Sequence, residues 1–182
     1  MTSIATLTLN PTIDVSYDID RMFHTRKMRT RKEYYSPGGG GINVARVFVR
    51  LGGNARCYYL SGGATGAALD GLLDLHQIVR TCTAIKGHTR VSTAAYELES
   101  GKEYRFVPPD PVVAPEEWQE CLDRLAATEC EYLVASGSLP PGVPGDYYAR
   151  VAELAARRGI RMGSTVREQV CAMDWQVVAF SS

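Results

Sequence analysis

The densest chemical signal in the sequence is the run Pro37-Gly38-Gly39-Gly40-Gly41-Ile42-Asn43. Glycines placed ahead of a helix let backbone N–H groups approach a ligand closely. The helix N-terminus then favours an anion, or a hydroxyl-rich ligand held against its dipole. A two-glycine turn would need no ligand; four glycines with Asn at the helix start point to one. A dinucleotide fingerprint is disfavoured, because Gly-x-Gly-x-x-Gly fits neither register with Asn43 and Val44 in place. No Gly-Lys-Ser/Thr follows, so the run is not a Walker loop either.

Asp14 comes directly after the turn Asn10-Pro11, past the apolar run of residues 4–9, and is expected at the C-terminal end of that first strand. Open α/β sheets place ligand groups there. Its carboxylate either accepts hydrogen bonds from two sugar hydroxyls or caps its own loop. Ser136-Gly137-Ser138-Leu139-Pro140-Pro141-Gly142 follows another strand and offers hydroxyls and a rigid turn at the same edge. It lacks the Gly-x-Ser-x-Gly of a nucleophile elbow. Lys27, Arg29, Arg90 and Arg105 all fall in polar, outlying stretches, where a solvated surface accounts for each taken singly. His24, His76 and His88 have no metal-ligand spacing, and no metal site is expected.

These residues need a scaffold. Residues 4–9 read as a buried strand, and a helix is expected just after Gly41, with Ile42, Ala45, Phe48, Val49 and Leu51 at helical spacing and Gly52-Gly53 as its stop. Residues 55–60 read as a second buried strand, residues 62–66 as a loop, and residues 68–75 as a helix with Leu69, Leu72 and Leu73 on one side. This β-α-β-α order predicts a mostly parallel sheet. A helix over 116–127, a strand over 132–135 and a helix over 149–157 continue the wrap. Residues 15–35 are polar and basic with little apolar periodicity, which predicts that they stay out of the core. Residues 90–98 and 104–107 flank Ser100-Gly101 as a hairpin, and with 15–35 they could form a small separate sheet.

At 182 residues and 45% hydrophobic, the chain is long enough for one domain with a sizeable core. Its formal net charge of zero gives no general footprint for nucleic acid or an anionic membrane, so any anion site must be local. Five cysteines, widely spaced and never Cys-x-x-Cys, point to neither a disulfide framework nor a zinc ribbon. The reading is a cytoplasmic protein with no membrane partner and no nucleic-acid partner.

The motifs TLTLNPTID, SPGGGGINVARV, LGG, GGATG, Thr89-Arg90, GKEYRFV and SGSLPPGV occur in an order and spacing that resembles the PfkB carbohydrate kinases, a ribokinase-like family. The resemblance runs from residue 4 to about 161. It implies an α/β Rossmann-like ribokinase fold with a small β lid built from residues of about 15–35 and 88–107. It further implies an ATP- and Mg-dependent kinase of glycolysis that phosphorylates the 1-hydroxyl of fructose 6-phosphate or a related phosphorylated ketohexose. Relatives acting on tagatose 6-phosphate or fructose 1-phosphate usually carry Gly-Gly-Lys-Gly where this chain has four glycines, which favours fructose 6-phosphate. Carried over by position, Asp14, Gly39, Gly40 and Asn43 would hold sugar hydroxyls. Arg90 and Arg105 would surround the sugar phosphate, with Lys27 and Arg29 on the lid near sugar or nucleotide phosphate and Ser138 lining the cleft. The family lid implies a homodimer.

The resemblance stops near Met162. The family continues into Asp-Ser/Thr-Ser-Gly, an Asn-x-x-Glu motif associated with Mg and phosphates, and Gly-Ala-Gly-Asp with the catalytic base; residues 162–182 match none of these. The expectation is therefore the sugar-side part of a kinase over residues 1–161. The catalytic base and most of the nucleotide site would be missing, so the chain should be inactive alone. The rival readings are a non-catalytic module that binds sugar phosphate or pairs through its lid, and an inert truncated product. The tail is expected to arise by a frameshift, the alternative being a genuine variant C-terminus. Gly163 to Glu168 can be encoded as GGG TCG ACA GTT CGG GAG, and reading from the third base gives Val-Asp-Ser-Ser-Gly, the family's own segment. The reading frame downstream in the DNA tests this.

Overall fold

A computed structural model describes residues 3–164 of the chain. The apolar run near the N-terminus forms β1 (Ser3–Thr8), buried along almost its whole length. It lies at the centre of a sheet with β4 (Asn54–Ser61), β5 (Val79–Ala84), β8 (Tyr132–Ala135) and β9 (Arg161–Ser164), in the order β5-β4-β1-β8-β9. Every pairing in it is parallel. Parallel sheets are covered on both faces, which is why both sides of β1 are buried, Thr6 and Thr8 included.

Alternate side chains feed two cores. On one face Ala5, Leu7, Tyr58 and Leu60 pack with Cys121 and Leu125 of α3 (Pro115–Ala126) and with Tyr147, Tyr148 and Val151 of α4 (Tyr147–Arg157). On the other, Ile4, Cys57 and Tyr59 pack with Ile42 and Ala45 of α1 (Gly40–Arg50) and with Leu69 and Leu73 of α2 (Gly63–Leu75). No helix among the described residues is long and apolar enough to cross a membrane.

A second sheet stands apart. It comprises β2 (Thr12–Ile19), β3 (Arg31–Gly38), β6 (Arg90–Glu97) and β7 (Glu103–Phe106), ordered β3-β2-β6-β7, with β2 and β6 parallel and the outer pairs antiparallel. The hairpin at Ser100-Gly101 turns on Gly101, whose φ is +69°. A small separate sheet is the expectation for about 15–35 and 88–107; its strands fall within 12–38 and 90–106, and it is called the lid sheet below.

Several expectations need correction. Asp14 does not close the first strand; it is part of β2, in the lid sheet. The stretch 15–35 is not wholly outside the core, since Val15 and Ile19 are buried and Val15 joins the α1/α2 core. The first helix starts at Gly40, so two of the four glycines are helical. Residues 63–66 are the first turn of α2 and not a loop. Lys27 and Arg29 lie on the connection between β2 and β3, outside any strand. Strand β5 had no reading in the sequence. It is an edge strand whose polar residues Arg80, Thr81 and Thr83 interrupt the apolar run. The expected frameshifted tail falls mainly on residues 165–182, outside the described residues.

Candidate functional site

Register puts the candidate residues together. Asp14 pairs with Ser36 on β3 and Ser92 on β6, Thr12 pairs with Arg90, and Arg105 pairs with Ala94. Directly opposed residues share a face, and that face recurs at every second position. Thr12, Asp14, Ser36, Arg90, Ser92 and Arg105 therefore occupy one side of the lid, while Ile13, Val15 and Ile19 occupy the other.

The glycine run docks α1 against this side and against β1. A Cβ at Gly38 would fall 2.1 Å from Asp14 Oδ2, one at Gly40 would fall 2.0 Å from Ser136 Oγ, and one at Gly41 would fall 2.6 Å from the Leu7 carbonyl oxygen. Gly39, at φ +124°, turns the chain from β3 into the helix. Thr8 Oγ1 accepts from the Ile42 N–H at 3.1 Å, capping a first-turn donor from outside the helix. The run thus serves close packing onto its own chain as well as delivering a helix N-terminus to the site.

Asn43, in the first turn of α1, is oriented by Arg46 one turn later. Arg46 Nη1 donates to Asn43 Oδ1 and to the Pro37 carbonyl, each at 3.3 Å. With Oδ1 turned to Arg46, the amide nitrogen is the group Asn43 offers elsewhere. Arg90 is held more firmly. Its Nη1 lies 2.8 Å from Asp110 Oδ1, and its Nη2 donates to the Asn10 carbonyl at 3.4 Å. Its Nε is buried and has no hydrogen-bond partner among the described residues. Asn10, itself buried, donates from Nδ2 to Ser138 Oγ at 2.9 Å and so ties the Ser138 loop to Arg90. Tyr148 of α4 anchors the same loop by donating to the Gly137 carbonyl at 2.8 Å.

Arg105 is exposed and paired with Glu103 at 2.6 Å. Lys27 and Arg29 are exposed on the β2–β3 connection. The cations whose field reaches Asp14 are Arg90, Arg105 and Arg46. Asn10, Arg46 and Asp110 were not singled out from the sequence. Arg46 could have been found by its i+3 spacing from Asn43; Asp110, in a Pro-rich connection, gave no signal.

Burial raises the Asp14 carboxyl above its ordinary value of 3.8, although Arg90, a hydrogen bond with Thr12, and Arg105 and Arg46 all oppose the rise. The fold thus favours the protonated acid. By linkage, Asp14 contributes stability below pH 3.8, and that contribution is lost as pH rises through the raised value. A ligand that hydrogen-bonds to the ionised carboxylate has the opposite preference. Sugar affinity should therefore rise with pH through a midpoint above 3.8. Asp14→Asn should abolish that step in a calorimetric pH series with unphosphorylated fructose, while leaving the chain no less stable to urea at neutral pH. A midpoint unchanged by the substitution would remove Asp14 from the site.

Burial pushes the Cys57 thiol up to about 12 and that of Cys121 up to about 11, so neither is a nucleophile at neutral pH. Among the described residues no group of three or more His, Cys, Asp or Glu side chains could hold a metal ion.

Comparison with known proteins gives this geometry its context. The chain is 44% identical over 156 residues to the ATP-dependent 6-phosphofructokinase isozyme 2 of Mycobacterium tuberculosis (strain CDC 1551 / Oshkosh), covering 85% of this chain and 46% of that one. It is 33% identical to a tagatose-6-phosphate kinase of Staphylococcus epidermidis (strain ATCC 35984), over 86% of this chain and 51% of the other. The fold matches the crystal structure of phosphofructokinase-2 from Escherichia coli in complex with fructose-6-phosphate with a TM-score of 0.81 and 35% identity, covering 92% of this chain and 56% of that one. The chain spans about half the length of the curated relatives it matches. The pattern that defines the pfkB family carbohydrate kinases covers residues 4–174. With the parallel sheet, the lid and the glycine-started helix all in place, the chain belongs to the pfkB family of carbohydrate kinases.

Proposed function

We propose that residues 1–161 form the acceptor side of an ATP-dependent 6-phosphofructokinase, with lid segments 15–35 and 88–107, and that they bind fructose 6-phosphate for phosphorylation at its 1-hydroxyl. The observation that carries this reading is the convergence of Asp14, Asn43, Arg90 and Arg105 beside the N-terminus of α1. Asp14 accepts from sugar hydroxyls, the Asn43 amide donates, and Gly39 and Gly40 bring backbone close to the sugar. Arg90, Arg105 and Ser138 take the phosphate, which anchors the acceptor by charge-assisted hydrogen bonds, and Lys27 and Arg29 add positive charge from the lid connection.

ATP and Mg are the expected phosphoryl donor and metal, but the described residues offer no group of three or more His, Cys, Asp or Glu side chains that could hold the metal. Phosphoryl transfer rests almost wholly on positioning and on electrostatic stabilisation of the transferring group. Residues that orient only the acceptor bind without turning over. The 182-residue chain should accordingly bind fructose 6-phosphate more tightly than fructose in calorimetry, and form no fructose 1,6-bisphosphate with ATP and Mg. Equal affinities would sink the sugar-phosphate assignment; turnover would sink the acceptor-only one.

The partner proposed is a second copy, paired through the lid. The face turned away from the site leaves Tyr35 and Phe106 exposed, around an apolar recess of about 180 Å³ lined by Tyr17, Ile19, Met22, Met28, Thr30, Ala95 and Phe106. Exposed apolar surface of this kind marks an interface. Sedimentation should show a dimer, and a Phe106→Asp chain that remains dimeric would exclude this face.

A further inference from the structure

The phosphate side of the site contains an acid for which sugar binding has no use. Asp110 sits in Pro108-Pro109-Asp110-Pro111, between β7 and α3. The prolines fix backbone φ there, and Pro111 packs against Gly87 so closely that a Cβ on that glycine would lie 2.7 Å from the ring. From this stiff segment the Asp110 carboxylate takes Arg90 Nη1 at 2.8 Å, with the two side chains only 29% and 19% exposed.

Each cation on the strands and helix of the site already faces a carboxylate. Arg90 faces Asp110, Arg105 is paired with Glu103, and Arg46 lies in the field of Asp14. Lys27 and Arg29 lie apart from these pairs on the exposed β2–β3 connection, so a phosphate that is to be held by Arg90 must draw that guanidinium away from its carboxylate. The pair Arg105–Glu103 joins near neighbours on one strand, with side chains 75% and 47% exposed, and such surface pairs yield readily. Arg90–Asp110 is shielded from water and joins two separate segments. This is the contact that decides.

We propose that Asp110 is a specificity-determining residue: it occupies Arg90 in the unliganded site and releases it only to a phosphate that is also held through its sugar. The sugar part of this statement rests on the function proposed above. A phosphorylated ketohexose has a second hold through Asp14 and Asn43, and can displace Asp110. Inorganic phosphate has none, and its charge is repelled by the same carboxylate. The site thereby discriminates against the free anion without losing the guanidinium that recognises the ester.

The test titrates inorganic phosphate, by calorimetry, into the 182-residue chain and into its Asp110→Asn, Asp110→Ser and Arg90→Ala/Asp110→Asn forms, with circular dichroism confirming the fold of each. Both single variants should bind inorganic phosphate about tenfold or more tighter than the unsubstituted chain, because a like charge beside the anion is gone. The gain should vanish in the double variant. Unchanged or weaker phosphate binding in both single variants, or a gain that survives without Arg90, overturns the proposal. Fructose 6-phosphate and fructose, titrated in parallel, keep the two ideas separate. If the unsubstituted chain binds those sugars equally, the fructose 6-phosphate reading fails while the phosphate comparison still judges Asp110.

Discussion

Replacing Arg90 with alanine is expected to lower the affinity for fructose 6-phosphate by roughly 2–3 kcal/mol, about 30- to 150-fold, and to leave the affinity for fructose within about threefold. The first effect follows from losing charge-assisted donors to the ester phosphate; the second follows because Asp14 and Asn43 are positioned by other groups. The substitution also strands Asp110, a partly buried carboxylate whose only ion-pair partner among the described residues is Arg90. Stability to urea should fall for that reason. Changing Asp110 to Asn in the same chain should recover the stability without restoring the preference for the phosphorylated sugar. Parallel losses for both sugars would mean that Arg90 supports the fold of the site and does not touch the phosphate.

The second large effect is structural. Gly41→Ala should destabilise the chain by about 2–3 kcal/mol, even though alanine is intrinsically the better helix former by about 1 kcal/mol. The new Cβ would fall 2.6 Å from both the Leu7 carbonyl oxygen and Thr8 Oγ1, and 3.0 Å from the Leu7 carbonyl carbon. Leu7 belongs to the central strand and cannot yield, so α1 must lift. Lifting stretches the bond from the Ile42 N–H to Thr8 Oγ1 and moves Asn43 away from the cluster. Gly71 provides the control. It is also helical, in α2, and has open space where a Cβ would go, so Gly71→Ala should gain about 0.5–1 kcal/mol. Urea unfolding of the two variants side by side gives the comparison, and equal stabilities would show that the glycine run is not there to let α1 approach β1.

Site and fold share this cause. The four glycines bring the helix N-terminus close to Asp14, Thr8 and Ser136 by omitting every side chain that would hold it off. The lid strand β2 contributes to both layers: Ile13 and Val15 on one face join the main core, while Thr12 and Asp14 on the other join the site. A strand pinned to the core on one side holds its opposite face at a fixed distance from α1.

What the sequence determined by itself is what nearest neighbours along the chain encode. The mostly apolar and β-branched run of residues 4–9 is best satisfied at the centre of a covered sheet. The 3.6-residue spacing from Ile42 with Gly52-Gly53 after it dictates a helix and its end, and Ser100-Gly101 between β-rich runs dictates the lid hairpin. The motif order was enough for the family as well. What only the tertiary structure decided are the relations across long separations. Asp14 looked like the end of the first strand until its pairing with Ser92 and Ser36 put it in the lid. Asn10 read as a mere turn residue until its carbonyl met Arg90 and its amide met Ser138, 128 positions away. β5 escaped notice because an edge strand needs burial on fewer sides and can keep its polar residues. Asp110 lies in a stretch with no periodicity at all, and its importance consists entirely in which guanidinium it faces. Local propensity and hydrophobic period act over a few residues; the pairing of β2 with β6, with 78 positions between Thr12 and Arg90, depends on the packing of the whole molecule.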